Sequence, residues 1–199
     1  MTSVLSDVIL AADESKVTCL VLLDLNTAID TVDRDILLDI LQRRFLVDGP
    51  ALEWFRSYLT GRTQVFCIDN KQSAILPVSC SVLQGSVLRP PQFISYSEDV
   101  TAVFNKHGIK RHHLFADDKQ LLTSVTVTDL SVAKSNSAAC VADVQAWCAS
   151  RRLQLNPSKT EVIWLGTRYR LQQLAGADLN LTVGADVISR RPLCLTWEC

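Results

Sequence analysis

Val17-Thr18-Cys19-Leu20-Val21-Leu22-Leu23-Asp24-Leu25 is an almost unbroken apolar run with one carboxylate near its end. Consecutive β-branched and aliphatic residues over this length predict a central strand covered on both faces. Upstream, Val4, Leu5, Val8, Ile9 and Ala12 form a helical stripe over residues 2 to about 13. Downstream, Asp33 is placed to cap a helix whose apolar face is Ile36, Leu37, Ile40, Leu41 and Phe45. Gly49-Pro50 breaks the chain, Pro50 suits a helix start, and Gly61 suits the end of that helix.

Gln64 to Ile68 and Ser73 to Val78 read as strands of a hairpin turning through Asp69-Asn70-Lys71. A helix is predicted from Pro90-Pro91, with Phe93, Tyr96, Val100, Val103 and Phe104 along one side. Lys110 to Val125 reads as two short strands around Asp117-Asp118. Leu130, Ala133, Val141, Val144 and Trp147 mark a long amphipathic helix reaching about Arg152, and Glu161 to Leu165 a strand. After Gly166 the periodicity weakens. Interleaved strands and helices give an α+β class with antiparallel pairing around the Asp117-Asp118 turn, in one domain.

Composition narrows the functional classes. Hydrophobic residues are 48% and charged residues 21% of the 199, ordinary for a globular domain. No apolar run approaches the 18 or more residues of a membrane span, and no basic flank precedes an apolar run at the N-terminus, so neither a span nor a signal peptide is expected. The formal net charge of -1 argues against strong independent nucleic-acid binding, which usually needs a basic surface. Arg43-Arg44, Lys106 to His113, Arg151-Arg152 and Arg190-Arg191 are local basic clusters and read as solvated helix ends and loops. The seven cysteines include no C-x-x-C pair, so no zinc or dithiol site is expected. Cys19, Cys140 and Cys148 read as small core residues of a protein in a reducing compartment, cytoplasm or nucleus. His112 and His113 are adjacent on a strand and point to opposite faces, which argues against a histidine metal site with His107.

Three carboxylates stand out by position: Asp24 at the end of a buried strand, and Asp117-Asp118 at a turn between two others. Carboxylates about 4 Å apart repel by roughly 4 kcal/mol at an effective dielectric near 20, so convergence calls for a counter-charge. A divalent ion with hard oxygen ligands supplies one, and a pair of such ions suits in-line phosphoryl transfer. An Asp-Asp pair also arises from the turn preference of aspartate alone, and the residues by themselves leave both readings open.

Five blocks, in order, resemble those of non-LTR (LINE-type) retrotransposon reverse transcriptases. Val21 to Asp33 resembles the first palm motif, and Trp54-Phe55-Arg56-Ser57-Tyr58-Leu59-Thr60-Gly61-Arg62-Thr63-Gln64 the family's next block. Leu83-Gln84-Gly85-Ser86-Val87-Leu88 is similar to the Pro-Gln-Gly motif, and Phe115-Ala116-Asp117-Asp118 to the Tyr-Ala-Asp-Asp box. Leu153 to Glu161 resembles the later Leu-Asn-x-x-Lys-Thr block. The resemblance implies a polymerase-type palm over residues 1–188, with residues 189–199 a divergent, irregular tail.

The same resemblance implies RNA-directed DNA polymerisation, with RNA template, DNA primer and deoxynucleotides as partners. Asp24, Asp117 and Asp118 would hold two Mg²⁺ ions. Gln84 and Gly85 would line the nucleotide pocket, Ile29 would face the sugar, and Lys159 would protonate the leaving pyrophosphate. The chain departs from the family at Ile29 (usually aromatic), Leu83 (proline), Arg89 (glycine, with a cost of about 1 kcal/mol if positive φ is needed) and Phe115 (tyrosine). Pro91 adds a second stiff residue beside Pro90, and Lys119 replaces a threonine and is placed to compete with metal for the carboxylates. No basic fingers strands precede Asp24 and nothing after residue 165 resembles a thumb, so the expectation is a palm lacking complete fingers and thumb, truncated at both ends and inactive alone. The alternative is a non-catalytic remnant palm acting in binding.

Overall fold

A computed structural model describes residues 2–69, 71–78, 80–82, 85–183 and 186–194. In chain order the elements are α1 (Thr2–Asp13), β1 (Val17–Leu23), α2 (Arg34–Arg43), α3 (Gly49–Leu59), β2 (Thr63–Gln64), β3 (Cys67–Ile68), β4 (Lys71–Gln72), β5 (Leu76–Pro77), α4 (Arg89–Ser97), α5 (Val100–Lys106), β6 (Arg111–Phe115), β7 (Asp118–Val125), α6 (Leu130–Ser150), β8 (Glu161–Gly166), α7 (Arg168–Gln173), β9 (Leu181–Val183), β10 (Asp186–Ile188) and β11 (Arg190–Cys194). They group into two compact units rather than the single domain expected.

The first unit spans Met1–Asn26, Val100–Ala149 and Gln154–Cys199 and is built on a five-stranded sheet of order β11-β8-β1-β7-β6. β1 is central, as its apolar run requires: all but one of its residues are buried, and both neighbours, β7 and β8, pair with it antiparallel. Side chains alternate between the two faces. Leu20, Leu122 and Leu165 lie on one face and pack with Val8 of α1, joined by Val4, Leu22 and Ile163. By register, Cys19, Val21, Leu23, Leu121, Val162 and Trp164 share the other face, and all are buried. In α6, Ala133, Ser137, Cys140, Val141, Val144 and Cys148 form one buried stripe with the three- and four-residue spacing of a helix face.

The tail departs from expectation. Arg190–Cys194 is strand β11, paired parallel with β8, so this stretch is an edge strand and not irregular. The weak periodicity after Gly166 has a local cause: a short helix, a three-residue hairpin (β9-β10) and an edge strand each bury too few residues to leave a pattern. Residues 195–199 lie outside the described ones.

The second unit spans Thr27–Asp99 and Ser150–Leu153. Its own core explains the separate unit: Leu37, Leu38, Ile40 and Leu41 of α2, Leu52 and Leu59 of α3, and Phe93 and Tyr96 of α4 are all buried. Asp33 caps α2, accepting from the Ile36 amide at 2.9 Å, as its position predicts. The hairpin forms as two short ladders, β2-β5 and β3-β4, with Asp69 at its turn in positive φ. Every strand residue in it is exposed, Phe66 and Ile75 beside them included, so its apolar residues find no core within the unit.

The single helix predicted from Pro90 is two helices, α4 and α5, with the break at Glu98-Asp99. Both carboxylates there are engaged: Arg44 reaches Glu98 at 2.6 Å and Asp99 at 2.7 Å, and Arg151 also pairs with Asp99. Two of the basic clusters are thus committed to ion pairs inside the unit, with Arg152 on Asp33 as the third arm. Arg89 opens α4 with helical backbone, so the strain considered for positive φ does not arise. Pro90 and Pro91 follow in the first turn, where a missing N–H costs nothing.

Candidate acidic active site

Asp24 follows the last residue of β1, and its backbone is held by a second strand-like contact. Its carbonyl accepts from the Asn156 amide at 2.9 Å, the Asn26 amide donates to the Gln154 carbonyl at 2.8 Å, and Leu25 bridges Leu155. Asn156 also builds the turn that carries Lys159. Its side-chain oxygen accepts from the Ser158 amide and hydroxyl, and its carbonyl accepts from Lys159 and Thr160 amides. An asparagine cap followed by Pro157 is the chemistry of a helical first turn. Lys159 Nζ lies 3.4 Å from Asp24 Oδ2, with the lysine side chain 67% exposed.

The opposing carboxylates come from the β6-β7 hairpin. Phe115 pairs with Asp118, leaving Ala116 and Asp117 as a two-residue turn in which Ala116 takes φ +52°. Positive φ at the first central residue suits the twist of a tight hairpin. Leu23 pairs with Lys119 across β1 and β7, which brings Asp118 level with Asp24.

Leu22, Leu23, Asp24, Asp118, Lys119, Gln120, Lys159 and Glu161 line a cavity of about 250 Å³. Asp24 Oδ2 is buried with no hydrogen-bond partner. Asp117 does not line this cavity. A buried carboxylate oxygen without a hydrogen bond, beside a second carboxylate, suits a hard divalent cation, with Lys159 3.4 Å away as the cation now nearest it. The ligand set is nonetheless incomplete, since among the described residues no three His, Cys, Asp or Glu side chains gather closely enough to hold a metal.

Lys119 is the unusual member. Its side chain is almost wholly buried, 1% exposed, and Nζ donates to the Asp117 carbonyl at 3.3 Å. Burial pushes its amine below the ordinary lysine range, while Cys148, Asp117, Asp118 and Asp24 pull it back up. Burial in turn pushes the Cys148 thiol up to about 12, with Lys119 opposing. Thiols this reluctant to ionise fit core residues, and Cys19 and Cys140, also buried, are raised to about 12 as well.

The remaining candidates belong to the second unit. Ile29 is half-buried, and its carbonyl accepts from the Val82 amide at 3.5 Å. Gly85 is exposed at φ +79°, a conformation that favours glycine. Gln84 and Leu83 lie outside the described residues. Gln120 and Glu161 were not singled out from sequence, although strand alternation would have flagged Gln120, two residues after Asp118. Arg34 was also missed. It is buried and donates to the Val78, Cys80 and Ser81 carbonyls at 2.6, 3.0 and 3.5 Å, which fixes the segment before Gln84.

Helices and an antiparallel sheet with an acidic hairpin at one end are the palm architecture of nucleic-acid polymerases. Residues 2–174 match the family model "Reverse transcriptase (RNA-dependent DNA polymerase)", and the chain belongs to that family. No curated protein sequence matches the chain. Among solved structures it is similar to an apo telomerase from Candida tropicalis truncated from its C-terminal domain, with TM-score 0.63 and 15% identity. The match covers 95% of this chain and 40% of that one, so this chain spans less than half of the telomerase chain. Among the described residues no helix is long and apolar enough to cross a membrane.

Proposed function

We propose that this chain is the palm of a non-LTR-type reverse transcriptase, with Asp24, Asp117 and Asp118 as its catalytic carboxylates. The observation that carries the reading is that Asp24 and Asp118 line one cavity, with Asp24 Oδ2 buried, lacking a hydrogen bond, and 3.4 Å from the exposed Lys159 Nζ. Asp24 and Asp118, which line the cavity, are the metal ligands proposed first, and Asp117 joins them by family resemblance. Divalent ions bound there, Mg²⁺ by family resemblance, would activate a primer 3′-OH and steady the leaving pyrophosphate. Lys159, on an exposed arm anchored by the Asn156 turn, is the candidate proton donor to pyrophosphate. Gln84, Gly85 and Ile29 are the nucleotide and sugar contacts that the family resemblance implies. The partners on this reading are an RNA template, a DNA primer and deoxynucleotides.

A second reading, a palm that is catalytically silent in this chain and acts in binding, is favoured by one observation: a lysine is buried among the carboxylates. Primer extension on an RNA template with Mg²⁺ or Mn²⁺ separates the two, comparing the parent with Asp117→Asn after circular dichroism shows both folded. Extension by the parent alone establishes the polymerase. No extension from a folded parent leaves the silent palm.

A further inference from the structure

We propose that Lys119 is a built-in counter-cation of the acidic site that weakens divalent-metal binding by Asp24 and Asp118. The inference rests on the metal-site reading above and adds a determinant of its strength. Three observations carry it.

The first is position. Lys119 follows Asp118 in β7, faces Leu23 across the β1-β7 ladder, and lines the same cavity as both carboxylates. The second is confinement. With 1% of the residue exposed and Nζ donating to the Asp117 carbonyl at 3.3 Å, this cation is held in place. The third is the contrast with Lys159, which also neighbours Asp24 but is 67% exposed. An incoming cation displaces Lys159 by rotating a solvated arm, at little cost. Lys119 stays where it is, so an arriving divalent ion meets a fixed positive charge.

The test is Mn²⁺ binding to the full chain, read as loss of the free-ion electron paramagnetic resonance signal, with circular dichroism as the folding control. Lys119→Met keeps an unbranched stem and removes the charge, and is expected to bind at least about tenfold more tightly than the parent. Lys119→Arg keeps the charge and is expected to bind as weakly as the parent. Asp24→Asn placed on Lys119→Met is expected to abolish the gain. Lys119→Gln replaces Lys119→Met if the latter fails to fold.

Equal affinities for parent and Lys119→Met, both lost with Asp24→Asn, would overturn the proposal and leave the metal site standing. Tight binding by Lys119→Arg would overturn it too, since charge would not then be the cause. Absence of any Asp24-dependent Mn²⁺ binding would overturn the metal reading, and the proposal with it.

Discussion

Arg34 in the second unit and Lys119 in the first are both buried cations, yet they are held in opposite ways. Arg34 spends its planar fork on three backbone carbonyls of one segment, and its charge faces neutral oxygen dipoles. Burial holds that guanidinium below its usual range. Lys119 is a point charge whose Nζ donates to the Asp117 carbonyl at 3.3 Å and which lines a cavity with Asp24 and Asp118. A guanidinium can be made structural by geometry, because five fixed donors match a bent backbone. An ammonium has no such shape to match, so what holds it is charge, and charge can be exchanged for another cation.

Replacing each cation with methionine is the strongest way to break that comparison. Arg34→Met is expected to cost about 2–4 kcal/mol in urea unfolding, because the carbonyls of Val78, Cys80 and Ser81 lose their donors. Arg34→Lys should recover little of it, lacking the fork. Lys119→Met is expected to leave the urea midpoint unchanged or raise it, as an apolar stem replaces a buried charge among partners that can hydrate. A loss above about 2 kcal/mol at Lys119, or none at Arg34, would reverse the assignment of roles.

A smaller effect sharpens the acidic side. Asn156→Ala removes the cap on Ser158 and is expected to cost about 1 kcal/mol in thermal unfolding, with the Lys159 turn losing order. Wild-type hydrogen-exchange protection at Lys159 and Thr160 in the variant would count against that turn as the anchor.

The smallest effect is on a surface carboxylate away from either buried cation. Asp143 accepts from Lys106 at 2.7 Å and His107 at 2.8 Å, which hold its carboxyl below the ordinary value of 3.8. A folded value below the unfolded one gives stability that is present above about pH 4 and lost as pH falls through the lowered value. Asp143→Asn should therefore flatten the acid limb of a melting-temperature profile and change little at neutral pH. An unaltered acid limb would remove this group from the account.

The elements legible in the sequence are those whose residues answer to one local rule. Val17 to Leu23 had to be central because every residue in it but Thr18 is apolar, and Asp33 had to cap because it precedes an apolar helix face. The β6-β7 hairpin followed from two strands flanking Asp117-Asp118. What stayed hidden depends on pairing between distant segments. The break between α4 and α5 coincides with carboxylates bound by Arg44 and Arg151, residues far away in sequence. Strand β11 exists because β8 offers an edge, not because Arg190–Cys194 reads as a strand alone.

The site divides the same way. Asp24, Asp118 and Lys159 were singled out from motif positions, and they line one cavity. That Lys119 is buried was not legible, because its sequence neighbours Asp117-Asp118 and Gln120 are polar and read as an exposed turn. The β1-β7 register is what turns it inward.

We propose Asp24 and Asp118 as a divalent-cation site at the end of the sheet. Anomalous scattering from Mn²⁺-soaked crystals of the Lys119→Met variant tests it most directly. The account predicts a peak within coordination distance of both carboxylates. Mn²⁺ bound elsewhere on the chain, with these two left bare, would contradict it.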